Sequence, residues 1–343
     1  MTSPGTTPQT TTQARTTRLP ALFADTLRLP AIGAPMFIVS GPELVIAQCR
    51  AGIAGAFPAL NARPAEQLDA WLSEIRETLD GASPRPAPFG VNLIVHRSNP
   101  RLEEDLATVV RHRVPFVITS VGAPDEVVGA VHSYGGLVIH DVTNMRHARR
   151  AIRAGVDGLI LVCAGAGGHA GTLSPFALLP EVRAEFDGLI VLAGAITSGA
   201  ALKAARVMGA DLAYMGTRFI ATREARAVDP YKAMLVESQA SDILYTPAFT
   251  GVSGNYLRPS IERAGLDPDN LKPRDEIVIS DHEKRPKQWK DIWGAGQGVG
   301  NIADVPDVAT LVARLEAEYA EAARAKDPFA ARLAAEAAGQ GTP

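Results

Sequence analysis

Residues 151–172 read AIRAGVDGLILVCAGAGGHAGT, and the order of signals within them decides the architecture. A helical pattern stops at Gly155, a position suited to a left-handed cap. Val156 and Asp157 then turn the chain into Gly158–Val162, an apolar run of strand length with no polar face. That run empties into glycines around one histidine, His169. Such a pattern sets an imidazole at the mouth of a buried strand, beside backbone open enough to admit a planar ligand. The first half of the pattern recurs: Ala205-Arg-Val-Met-Gly-Ala-Asp211 also ends a helix at glycine and leads into Leu212–Met215. Similar turns two units apart suit a closed (β/α)8 barrel, although an open doubly wound sheet can also produce them.

Outward from this stretch, the alternation continues in both directions. Short apolar runs bounded by Gly, Pro or polar residues mark strands at Ala31–Met36, Ile53–Phe57, Pro88–Ile94, Phe116–Thr119, Leu137–Val142, Gly158–Val162, Leu189–Ala193 and Leu212–Met215. Helical patterns fill the gaps, among them Pro64–Leu79, Arg101–Arg111, Asn144–Ala154 and Ser198–Met208. Ser98/Asn99 with Pro100, Asn144 and Ser198 are suitable caps. Eight units and no GxGxxG after the first strand favour an α/β chain folded as a (β/α)8 TIM barrel. The roughly ninety residues from Arg218 to the helical pattern near Asp307 far exceed an ordinary βα loop of about 2–6. Residues 221–299 are therefore expected to be an inserted lid or substrate subdomain over the C-terminal mouth, between the eighth strand and the last helix. The barrel proper takes residues 19–220 and 300–330.

The ends and the composition narrow the function. Residues 1–18, rich in Thr, Pro and Gln, are expected to be disordered, and residues 331–343 to be a flexible tail. With 46% hydrophobic and 21% charged residues, the 343-residue chain resembles an ordinary soluble protein. Its net charge of −3 gives no electrostatic case for nucleic acid or an anionic membrane. No apolar run reaches the roughly 18 residues that span a bilayer. The two cysteines, Cys49 and Cys163, are too few for a disulfide framework, which suits the cytoplasm.

In a barrel of this kind the C-terminal strand ends build the site, and the seventh and eighth usually bind phosphate. Here they read Ala193-Gly194-Ala195 and Met215-Gly216-Thr217-Arg218. Small residues let backbone N–H groups approach phosphate oxygens; Thr217 offers a hydroxyl and Arg218 a cation. The plainer reading is that small residues merely permit tight turns. Thr119 and Ser120 end the fourth strand, where they either face a ligand or cap a turn. His140 and Asp141 end the fifth, and strand alternation points them oppositely, against a metal site with His169. Cys163 reads as a small buried hydrophobe, and His96, His112, His132 and His147 as solvated. In the insertion, Ser253 between glycines, followed by Tyr256 and Arg258, suits a flexible lid with an aromatic wall and a cation. Gln297, between Gly296 and Gly298, re-enters near the site.

From Leu29 to Glu318 the chain resembles the nitronate monooxygenase family, formerly 2-nitropropane dioxygenases. The resemblance is carried by Ala34-Pro35-Met36, Gly90-Val-Asn92, the loop from Gly165 to Gly171, and the two small-residue turns above. Phe249-Thr-Gly251 and Trp293-Gly-Ala-Gly-Gln297-Gly add to it. It implies an FMN-dependent barrel that oxidises alkyl nitronates with dioxygen to a carbonyl compound and nitrite. Pro35, Met36, Asn92, Thr119, Gly167 and Gly168 would then contact the flavin. Ala193, Gly194, Ala195, Met215, Gly216, Thr217 and Gln297 would serve its phosphate side. His169 would be the active-site histidine, taking a substrate proton or, once charged, attracting the anion. Where the family often has Glu, this chain has Gly165. The partners implied are a small-molecule nitronate and dioxygen, with a homodimer left open. Two other functions stay in play: a pyridine-nucleotide-driven quinone or enoyl-thioester reductase on the same flavin barrel, and a flavin-free barrel for a phosphorylated metabolite. A Schiff-base lyase would want a strand lysine, and none of the eight strands carries one.

Overall fold

Residues 19–273 and 290–339 are described by a computed structural model. The expected N-terminal tail, and the segment 274–289 with Trp289, lie outside the described residues. The strands are β1 (Ala31–Gly33), β2 (Gly55–Pro58), β3 (Phe89–Ile94), β4 (Phe116–Ser120), β5 (Leu137–Val142), β6 (Gly158–Val162), β7 (Gly168–His169), β8 (Leu189–Ala193), β9 (Leu212–Met215), β10 (Ile243–Thr246) and β11 (Gly254–Leu257). Eight of them form one parallel sheet in the order β1-β9-β8-β6-β5-β4-β3-β2. Its two ends meet where Ile32 bridges Ala54. There Gly33 N–H donates to Ala54 O at 2.7 Å and Ala54 N–H to Ala31 O at 3.2 Å. The sheet is thus a (β/α)8 barrel, as the alternation of apolar runs implied. β1 is shorter than expected because the chain leaves the sheet after Gly33.

Strand alternation divides the core in two. Ile32, Ala56, Phe116, Ile118, Ile139, Ile160, Val191 and Leu212 pack together inside the ring. Their neighbours in sequence face outward and join the helices in a second, larger cluster. The helix Ala21–Ala24 plugs the N-terminal end of the barrel. Its Phe23 is fully buried, edge-on to Phe116 with ring centroids 5.4 Å apart.

The repeated turn has a mechanical meaning. Gly155 and Gly209 sit at φ +82° and +111°, the left-handed region where a Cβ is unfavourable. Each delivers an aspartate to the N-terminal edge of the next strand. Asp157 Oδ2 accepts from Val138 N–H at 2.7 Å, and Asp211 Oδ2 from Ile190 N–H at 2.8 Å. Their own backbone N–H groups return bonds to Val138 O and Ile190 O. Each aspartate therefore clamps its strand to a neighbour.

The helices largely follow the sequence signals. Asn144 caps the helix Met145–Arg153, Ser198 caps Gly199–Met208, and Asp307 caps Val308–Arg324. At Asn99 the expected cap is displaced. Its Oδ1 accepts from Arg101 N–H at 3.1 Å, and the helix starts later, at Leu102. The final barrel helix, Val308–Arg324, packs on Pro42–Ala51 and Gly199–Met208 and so fills the gap between the last strand and the first. Pro328–Gly339 is helical, so residues 331–339 of the expected tail continue a helix.

Over the C-terminal mouth lies a second sheet, in the order β10-β11-β7. Two of its strands come from the segment after β9, while β7 comes from the loop after β6. Gly254 pairs with His169 and Asn255 with Gly168. A Cβ on Gly254 would come within 2.8 Å of Gly168 O, so this close crossing requires glycine. Phe249, Tyr256, Ile261 and Ile292 form a small separate core behind the sheet.

Candidate active site

A cavity of about 630 Å³ opens where the barrel meets this second sheet. The fifth strand end shows how the wall is built. His140 points outward, where Thr119 Oγ1 meets its Nδ1 at 2.8 Å, and burial pushes its pKa down to about 4. Asp141 points inward, on the opposite face of the same strand, and lines the cavity. Asn92 Nδ2 donates to Ser120 Oγ at 2.8 Å, and Ser120 Oγ to Asp141 Oδ2 at 2.6 Å. Tyr214 lines the same space from β9 and lies near enough to Asp141 for their charges to interact. This chain of groups forms a polar floor in an otherwise apolar barrel.

His169 lies across from that floor on β7. Its Nε2 is 2.9 Å from Thr250 Oγ1, which is also 2.9 Å from Val252 O. With its one proton on Val252 O, Thr250 accepts from Nε2–H and the lone pair sits on Nδ1; with the hydroxyl turned to Nε2 the roles of the two ring nitrogens reverse. Burial pushes the His169 pKa down to about 4. A ring with its pKa so lowered rests neutral near pH 7. A neutral ring still accepts a proton.

The small-residue turns complete the wall. Ala193, Gly194 and Ala195 line the cavity after β8, with Gly216 and Thr217 after β9. Ala195 is left-handed at φ +54°, a strained conformation for a residue with a Cβ. Thr217 Oγ1 accepts from Gly296 N–H at 2.9 Å and so ties the re-entering chain to the turn. Pro35, Met36, Asn92, Gly167, Gly168 and Ser253 also line the cavity.

Several expected residues lie elsewhere. Thr119 faces outward, because the fourth strand runs one residue further than the apolar run suggested; Ser120 holds the inward position. The Met215 side chain is buried in the outer core. Gln297 is exposed, and its backbone N–H donates to Gly165 O at 2.9 Å; Gly296 and Gly298 line the cavity instead. Tyr256 packs edge-on against Phe249 behind the second sheet. Arg218 is buried on Asp304 at 2.9 Å, and Arg258 pairs with Asp269 at 2.9 Å, so neither cation faces the cavity. Gly165 sits at φ +85°, a left-handed conformation that would strain a residue with a Cβ. Cys163 is fully buried and its thiol is pushed up to about 12 by burial.

Sequence reasoning missed Asp141, Tyr214, Tyr231 and Tyr245 as lining residues, and it expected His96 and His147 to be solvated. The phase of Asp141 was readable, since an outward His140 forces it inward. Tyr231 and Tyr245 had no local signal, for the placement of the helix Asp229–Glu237 and of β10 beside the cavity is tertiary. Among the described residues no group of three or more His, Cys, Asp or Glu side chains could hold a metal ion. No described helix is long and apolar enough to cross a membrane.

The chain is similar to a nitronate monooxygenase of Paraburkholderia phytofirmans, 26% identical over 88% of this chain and 95% of that protein. It is also similar to an octahydroindene-carboxyl-CoA dehydrogenase of Rhodococcus jostii, 29% identical over 69% of this chain and 65% of the other. Among solved structures, a nitroalkane oxidase from Streptomyces ansochromogenes superposes with a TM-score of 0.75. It is 27% identical, covering 88% of this chain and 99% of that one. The family model for nitronate monooxygenase matches residues 22–318. By that match over most of its length, the chain belongs to the nitronate monooxygenase family and is an oxidoreductase.

Proposed function

We propose that this enzyme binds FMN and oxidises alkyl nitronates with dioxygen, giving a carbonyl compound and nitrite. The observation that carries the reading is a half-buried His169 that lines the same cavity as the polar floor, walled by small residues at the ends of β8 and β9. The fit to a flavin rests on this chain's own groups. A cavity of about 630 Å³ with a mostly apolar wall suits a planar ring, and Gly194, Ala195, Gly216 and Thr217 would hold the phosphate. Pro35, Met36, Gly167 and Gly168 would lie along the ring, with Asn92 at its polar edge. The chemistry such a group supplies when bound is electron transfer from the nitronate towards dioxygen.

The residues themselves bind, orient and move a proton. In a neutral nitroalkane, His169 Nδ1 takes the proton from the carbon beside the nitro group. The tautomer in which Nε2 donates to Thr250 would leave Nδ1 able to do so. A preformed nitronate needs no such step. Ser253 and Tyr245, which line the cavity from the segment beyond β9, help to exclude water.

An anaerobic visible spectrum of the purified protein tests the reading. A flavin spectrum that changes on adding an alkyl nitronate alone supports it. Bleaching by NADH with indifference to nitronate would replace it with a flavin reductase. Protein that stays colourless after FMN is added would remove both.

A further inference from the structure

We propose that Asp141 is the ring-contacting acid of this barrel, its carboxyl being the group through which the cavity floor hydrogen-bonds the flavin. This rests on the flavin reading above and adds to it a residue that the family resemblance did not supply. Three observations support it. Asp141 lines the cavity at its polar floor, from the inner face of β5. Its Oδ2 is held by Ser120, while Oδ1 is shielded from solvent with no hydrogen-bond partner among the described residues. Buried polar atoms are rarely left so, and an orphan beside a cavity is what a ligand would satisfy. The terminal torsion of an aspartate is broad, so the carboxyl can keep Ser120 on one oxygen and turn the other towards a ligand.

The charge state follows from the surroundings. The other ionisable side chains lining the cavity are His96, His147, His169, Tyr214, Tyr231 and Tyr245. Neither a lysine nor an arginine lines it among the described residues, so no ammonium or guanidinium there balances a carboxylate. Burying an unpaired carboxylate is costly, and the group takes up a proton instead. Burial pushes the Asp141 carboxyl up to about 7, against the smaller opposing pull of the Ser120 hydroxyl. Near neutrality the floor thus alternates between a neutral acid, which can donate, and an anion, which can only accept. A flavin's absorption depends on the hydrogen bonds and charge at its ring, so the bound ring should report that change.

The test uses the FMN-loaded enzyme and reads visible absorbance from pH 5.5 to 9 without substrate. Wild-type protein should show one spectral transition with a midpoint near 7. Asp141→Asn should retain flavin and lose that transition, which separates Asp141 from the three cavity histidines. Ser120→Ala removes the hydroxyl that stabilises the anion, so its midpoint should move up by about one pH unit or less. That second variant decides the matter if the first does not fold. A yellow wild-type protein with no transition, or one whose transition survives unchanged in Asp141→Asn, overturns the proposal and leaves the flavin reading standing. So does an unmoved midpoint in Ser120→Ala. Colourless wild-type protein overturns the flavin reading, and this proposal with it.

Discussion

The two ends of the barrel handle buried polar groups in opposite ways. At the N-terminal end, Asp211 accepts from Ile190 N–H and from Arg183 at 2.5 Å, while Arg183 also donates to Gly188 O and Gly209 O. Asp157 closes the matching turn on Val138. Every one of these bonds joins protein to protein. At the C-terminal end, Asp141 has one oxygen bonded and one without a partner among the described residues, and a cavity opens beside it. Polar groups satisfied within the fold contribute stability; groups left partly unsatisfied around a cavity are available to a ligand. The contrast suggests that stability and function in this chain are separable by position.

That separation can be broken by mutation. The largest expected effect lies at the C-terminal end: His169→Ala should lower turnover of neutral nitroalkanes by about 10²- to 10⁴-fold. Preformed nitronates, which need no proton removed, should lose much less in parallel steady-state assays. Unchanged turnover of neutral nitroalkanes in both His169→Ala and His169→Asn would remove proton abstraction from the account. At the other end, Asp211→Ala leaves the mostly buried Arg183 without its carboxylate and should cost about 3 kcal/mol in denaturant unfolding. The spectrum of the folded, flavin-loaded protein should stay as in wild type. A spectral change there would show that the two ends are coupled.

Smaller effects sharpen the comparison within one strand end. Thr119→Val deprives the outward His140 of its partner and should cost about 2 kcal/mol of stability. It should leave the flavin spectrum alone, whereas Ser120→Ala, one residue on, should change it. Smallest is a pH effect. The folded pKa of His169 lies near 4, below the ordinary histidine value, so the unfolded chain binds the proton first as pH falls. Its contribution is therefore full above about pH 6.5 and is lost as pH falls towards 4. Between pH 7 and 5, His169→Asn should flatten the acid-side decline in unfolding free energy by on the order of 1 kcal/mol, allowing for the ring's partial exposure.

How much could be read in advance also differs between the two ends. The glycine caps at Gly155 and Gly209, the aspartates after them and the eight apolar runs are local signals, and they locate the barrel strands to within a few residues. The turns at Ala193–Ala195 and Gly216–Thr217 were equally local, being small residues at the expected strand ends. Thr119 was misplaced because inward and outward positions alternate, and a one-residue error in a strand's end reverses the face. β7, β10 and β11 escaped notice because strands of two to four residues, two of them containing glycine, have no period to detect. They exist only because distant segments meet. The Thr250 contact to the His169 ring spans 81 residues of sequence, and no local pattern announces it.

The crossing of β7 and β11 has a consequence for engineering. Ala166 O, Ala170 N–H and Ala170 O are bonded to Asn255, Ser253 and Tyr245, and Thr250 holds His169. The loop after β6 and the segment from β10 to β11 thus form one cassette, though the chain writes them far apart. Grafting either half alone onto a related scaffold would separate the imidazole from its hydroxyl partner. Loop exchanges intended to change substrate should move residues 165–171 and 243–257 together.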